Sequence, residues 1–212
     1  MTSLCLAAAV LALVAGAGAP AQSPSADDAA RVMAFDRFAA GREALGAKRW
    51  AEAEAEFGNA LRLQSGLAVA HYGLGQALMG QARYAEAADA FLSCRNVFAL
   101  VRRMDPAKAR DLEIRDLRDT LQALAGRQAL SADRSLETQL EKRLADLQKG
   151  ATASPPWVPP AVAVALGTAY FEAGALEEAE KEFLRAEQAG VKVSPRMWDE
   201  IRRQRPSPAA SP

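Results

Sequence analysis

The sequence predicts an all-α protein: a solenoid of stacked helical hairpins, with an irregular helical insert and a capping helix near the C-terminus. Three observations carry this. Gly41, Trp50, Ala53, Phe57 and Ala60 return 34 residues later as Gly75, Tyr84, Ala87, Phe91 and Cys94. Gly167, Leu176, Ala179, Phe183 and Ala186 repeat the same internal spacing. Composition agrees: Ala and Leu are abundant, β-branched residues are few and aromatics are 6%, a balance that favours helix. A fixed period of this size marks stacked helix pairs, since one pair cannot bury its own apolar face.

The elements follow in chain order. Met1 to Gln22 carries no charge, and Leu4 to Val14 is a continuous apolar run. Ala19-Pro20-Ala21 fits a small-residue cleavage site, so residues 1–21 read as a secretory signal peptide and the mature chain starts near Gln22. The run is shorter than the ~20 residues a bilayer needs, and Met1-Thr2-Ser3 lacks the usual basic residue, so an uncleaved anchor stands as the alternative. The protein is expected to be exported, periplasmic or secreted. Residues 22–30 read as a flexible lead in which Asp27 or Asp28 caps the first helix.

Residues 31–104 hold two helix pairs. Met33 to Ala47 is followed by Trp50 to Leu63, with Gly66 as C-cap. Leu67 to Gly80 is followed by a helix from Arg83, whose apolar face runs on through Val97, Phe98, Val101 and Met104. Asp105-Pro106 restarts a helix, Asp as N-cap and Pro as first helical residue. Ile114, Leu117, Leu121 and Leu124 alternate in steps of three and four, a heptad seam, and Leu136, Leu140, Leu144 and Leu147 make a second stripe. Residues 105–150 are thus a charged helical insert. It is either a hairpin packed on the helix pairs or a coiled-coil seam between chains.

Residues 151–160 are a Pro-rich linker with Trp157 at its centre, and Pro160 opens the next helix. The third pair covers 161–190. Ser194-Pro195 starts a last helix, 194–205, with Met197, Trp198 and Ile201 on one face and charge on the other, as a stack closes its open end. Residues 206–212 read as a disordered tail.

These motifs resemble the tetratricopeptide repeat. The third copy carries Leu166-Gly167, Tyr170, Gly174, Ala179, Phe183 and Ala186; the second carries Leu74-Gly75, Tyr84, Ala87 and Phe91, with Cys94 in place of Ala. The first has Ala40 before Gly41, and Arg37, His71 and Ala163 stand where the family places an aromatic. The resemblance covers about half of the mature chain. It implies a concave groove lined by the first helix of each pair. The matching positions are Phe35, Phe38 and Arg42, then Val69, Tyr72, Gln76 and Met79, then Val164, Thr168 and Phe171. This largely apolar stripe suits a bound peptide or helix; the alternative is that the insert or the linker fills the groove from within. Arg42 and Gln76 are its only polar long side chains, a poor match to the members that clamp a C-terminal carboxylate.

Residues that would carry chemistry are sparse. His71 is the one histidine, and no His/Cys/Asp group has metal-ligand spacing. No nucleophile elbow or phosphate loop occurs. Glu52, Glu54 and Glu56, and Glu177, Glu178 and Glu180, read as solvated helix faces. Cys94 has no internal partner once Cys5 leaves with the signal. Lys+Arg and Asp+Glu are 26 each, giving no basic patch for nucleic acid. The expectation is a non-enzymatic adaptor without cofactor, metal or small-molecule substrate, holding a protein or peptide partner of the cell envelope. The rival expectation is a structural protein that self-associates through helices 106–149.

Overall fold

The computed structural model describes residues 26–100, 106–125, 131–150 and 158–204. The signal segment, Val101, Met104, Trp157 and the tail lie outside them. Among the described residues there are nine helices and no strand: α1 Ala26–Gly46, α2 Trp50–Leu63, α3 Ala68–Gly80, α4 Tyr84–Leu100, α5 Pro106–Ala125, α6 Ser131–Gln148, α7 Pro160–Glu172, α8 Leu176–Gln188 and α9 Pro195–Gln204.

The periodic residues do the same work in three hairpins, α1–α2, α3–α4 and α7–α8. A side chain at Gly41 would strike Phe57 at 2.8 Å, at Gly75 Phe91 at 2.6 Å, and at Gly167 Phe183 at 2.6 Å. Each glycine thus lets the second helix press an aromatic ring onto the backbone of the first. Ala53, Ala87 and Ala179 are fully buried at the matching crossing, as are Ala60, Cys94 and Ala186. Phe57 also lies against Gly73 of the following hairpin, where an added Cβ would meet it at 2.5 Å. One ring therefore packs the pair and ties it to its neighbour.

The turns recur in register too. Lys48, Ala82 and Gly174 have φ of 59°, 58° and 80°. At each, the residue's N–H donates three residues back and the next N–H donates five back. The pairs are Lys48 to Leu45 (3.0 Å) and Arg49 to Ala44 (2.8 Å), Ala82 to Met79 (3.0 Å) and Arg83 to Leu78 (3.0 Å), and Gly174 to Phe171 (3.0 Å) and Ala175 to Tyr170 (2.8 Å). This left-handed stop satisfies the last carbonyls of the first helix and reverses the chain.

The hairpins stack in order. α2 packs on α3, α4 on α7 and α8 on α9, so the third hairpin docks on the second across the intervening insert. Each junction also carries an ion pair: Arg83 with Glu54 at 2.7 Å, and Arg95 with the buried Glu182 at 2.8 Å. α9 closes the end. Trp198 meets Phe183 edge-on at 6.0 Å and donates its indole N–H to Glu187 at 2.8 Å, while Ile201 is buried.

α5 and α6 form an antiparallel hairpin. Arg143 pairs with Glu113 at 2.7 and 3.1 Å, and Arg110 donates to the Leu147 carbonyl at the end of α6 at 2.7 Å. Leu117, Leu124, Leu136, Leu140 and Leu147 are buried and belong to the main core. The seam is satisfied within the chain, not left as a free edge.

Two boundaries differ from the expectations. α1 spans Ala26–Gly46, so Asp27 and Asp28 lie within the helix and not in a lead. Gly66 is not the C-cap of α2. Gln64, in extended conformation, ends the helix and donates its N–H to Ala60. In α4, Val97 and Phe98 are partly buried as the longer face implied, and its continuation at Val101 and Met104 lies outside the described residues.

Candidate functional site

The first helices α1 and α3 bring together most of the expected stripe. Phe38 and Arg42 from α1 meet Val69, Tyr72 and Gln76 from α3 around one concavity. Their spacing of three and four residues puts them on one helical face. Phe38 tilts against Phe57 at 5.8 Å, and Tyr72 stands edge-on to Phe91 at 5.4 Å. The wall of the concavity is therefore continuous with the core.

That face does not stand open. Leu124 of α5 and Leu136 of α6 complete the lining, and the space left is about that of one water molecule. Phe38 is 2% exposed, Val69 2%, Tyr72 6% and Arg42 9%. Arg42 donates to the Leu124 carbonyl at 2.7 Å, capping the C-terminal turn of α5. Arg31 pairs with Asp119 on α5, and Gln139 of α6 accepts from the first N–H groups of α7, at Ala161, at 3.0 Å. Of the two expectations for this face, a partner or the chain's own insert, the insert is what lies over α1 and α3.

The remaining stripe residues lie apart. Phe35 and Met79 are partly buried against the main core. Val164 and Phe171 of α7 pack instead into a second cluster with Phe183, Met197 and Trp198, under the capping helix. Thr168 donates its hydroxyl to the Val164 carbonyl at 2.8 Å, a bond within its own helix. α1, α3 and α7 thus carry corresponding positions, and only the first two meet in one concavity. The sequence signal for what covers them was the pair of leucine stripes in 105–150.

Other candidates resolve into structure. His71 is half-buried with Nε2 at 3.1 Å from the Ser65 carbonyl; burial lowers its pKa against the raising effect of that bond. Cys94 is fully buried, and desolvation raises its pKa far above the usual thiol range, which suppresses the nucleophilic thiolate. Glu54 serves the junction with Arg83, and Glu56 pairs with Arg37 at 3.3 Å. Among the described residues no group of His, Cys, Asp and Glu is arranged to hold a metal ion, and no helix is long and apolar enough to cross a membrane. Comparison with protein-family models, curated proteins and solved structures gives no match.

Proposed function

We propose that the chain is a non-enzymatic protein–protein interaction adaptor of the cell envelope, built on tetratricopeptide-type repeats, which holds a peptide or helix on the face of α1 and α3. The observation that supports this most is the triple recurrence of one design. The same glycine–phenylalanine contact and the same left-handed turn build each hairpin, and such stacks present shaped surfaces to other chains. The reading is also supported by what lies on that surface, Leu124 of α5 and Leu136 of α6 beside Phe38, Val69 and Tyr72. The rival reading, self-association through 106–149, has less support, since the seam leucines are spent inside the chain.

Export is part of the proposal and rests on the uncharged apolar start and Ala19-Pro20-Ala21. Mass spectrometry of the protein from its native host tests it: the N-terminus is expected at or close to Gln22, and an intact cytosolic Met1 form refutes it. The adaptor role is tested by cross-linked capture from the native envelope. The wild-type chain and a Gln76→Arg variant are compared, because Gln76 is the partly exposed polar residue at the concavity. A partner retained by the first and lost by the second, with thermal unfolding unchanged, is the expected result. Equal capture by both places recognition elsewhere.

A further inference from the structure

The bonds that hold α5 to α6 and the bonds that hold the pair to the rest of the chain are separate sets. Internally the pair has Glu113–Arg143 and the Arg110 cap on Leu147. Externally it has Arg31–Asp119, Arg42 to the Leu124 carbonyl, Gln139 to Ala161, and two leucines over the concavity. Among these bonds no side chain appears in both sets. The remainder is also continuous without the pair: α4 packs directly on α7, and the three glycine–phenylalanine contacts involve neither α5 nor α6.

The geometry points to the α5–α6 hairpin as a built-in ligand that leaves as a unit when a partner helix of the same chemistry takes its place. This rests on the reading of the α1–α3 face as the recognition surface. The partner's chemistry is written in α5. It is an amphipathic helix with leucines seven apart, as at Leu117 and Leu124, and a carboxylate two residues after the first, as at Asp119. The acid meets Arg31, the second leucine lines the concavity with Phe38, Val69 and Tyr72, and a carbonyl of the last turn meets Arg42. The tight fit restricts the inserted side chain to leucine size. Binding costs the release of the hairpin, so the intact chain has low apparent affinity until that step occurs.

The probe is a fluorescent peptide of residues 106–125, added to the full-length chain and to its Leu124→Asp variant. The variant is expected to bind the peptide at least tenfold more tightly than wild type. A peptide carrying Asp119→Lys is expected to lose that gain. Hydrogen exchange reads the same event without a ligand. In Leu124→Asp, protection is expected to fall within 106–148 and persist in α2–α4. In wild type, α5 and α6 are expected to exchange together, at least tenfold faster than α2–α4. Loss of protection throughout 26–100 in the variant, equal rates in wild type, or equal or absent peptide binding by both chains overturns the proposal. Peptide binding by Leu124→Asp with no envelope partner in the capture experiment leaves the displaceable hairpin standing and removes the adaptor reading.

Discussion

Gly75→Ala and Gly58→Ala are the same chemical change in two helices, and the structure gives them opposite signs. At Gly75 the new Cβ would lie 2.6 Å from Cε1 of Phe91 and 2.8 Å from its Cδ1 and Cζ. The ring cannot retreat, since Phe91 is 2% exposed and Tyr72 stands against it at 5.4 Å. Overpacking of this kind costs about 1–3 kcal/mol, and alanine's helix preference over glycine returns about 0.5–1 kcal/mol. The net expectation is a loss of about 1 kcal/mol, within a range of about 0–2.5 kcal/mol. At Gly58, in the middle of α2, nothing lies within 4 Å of the new Cβ. Only the propensity gain remains, about 0.5–1 kcal/mol of added stability. Urea unfolding of the chain from Gln22, followed by circular dichroism, measures both. Phe91→Leu in the Gly75→Ala background is expected to recover part of the loss, a non-additivity that shows the two positions in contact. A stabilised Gly75→Ala, or a Gly58→Ala that loses more than about 0.5 kcal/mol, refutes the hairpin register.

Further expectations concern turns, titration and the thiol. Ala82→Gly relieves a left-handed alanine and is expected to stabilise by about 0.5–1 kcal/mol, with Gly174→Ala losing about as much; thermal unfolding of both variants checks this. His71 has its folded pKa lowered by burial, so below the ordinary value of 6.5 the unfolded chain binds the extra proton first. Its contribution is therefore intact above 6.5 and falls as pH drops from there toward the folded value; the stability slope over that window should flatten in His71→Gln, and an unchanged slope counts against the assignment. In a Cys5→Ser chain, Cys94 is expected to resist a thiol reagent in native buffer and react fully in denaturant; rapid native labelling would show the α4 interior open.

The hairpins were legible because the residues that build them have few alternatives. Only glycine admits a phenylalanine ring onto a helix backbone, so Gly41, Gly75 and Gly167 with their partner rings marked three crossings in the sequence. The turns were half legible. Gly174 signals a left-handed stop, but Lys48 and Ala82 occupy the same conformation without a residue type that announces it. The concavity was harder to read. The stripe Phe38, Arg42, Val69, Tyr72 and Gln76 is what the repeat resemblance implies, and its spacing says which face a side chain is on and not what lies over it. Leu124 and Leu136 lie 82 and 60 residues beyond Arg42 and Gln76; the leucine stripes mark them as apolar cover, but local spacing does not say which face they cover. Phe171 strayed for a related reason: the capping helix offered Trp198 and Met197 as nearer neighbours.

The packing of α4 on α7 has a kinetic consequence. Between α2 and α3 the chain closes a loop of 4 residues; between α4 and α7 it closes one of 59. The longer closure costs about 2 kcal/mol more in chain entropy. The first two hairpins have only short loops to close and can condense early, while the third must search for its seat. The order of assembly along the stack is thereby set by topology: α1 to α4 first, and the α4–α7 seam last. Until that seam closes, the face of α4 that carries Arg95 stays uncovered by α7. A chain stalled there would have apolar area to offer its neighbours, and aggregation during refolding should track the rate of this one docking step.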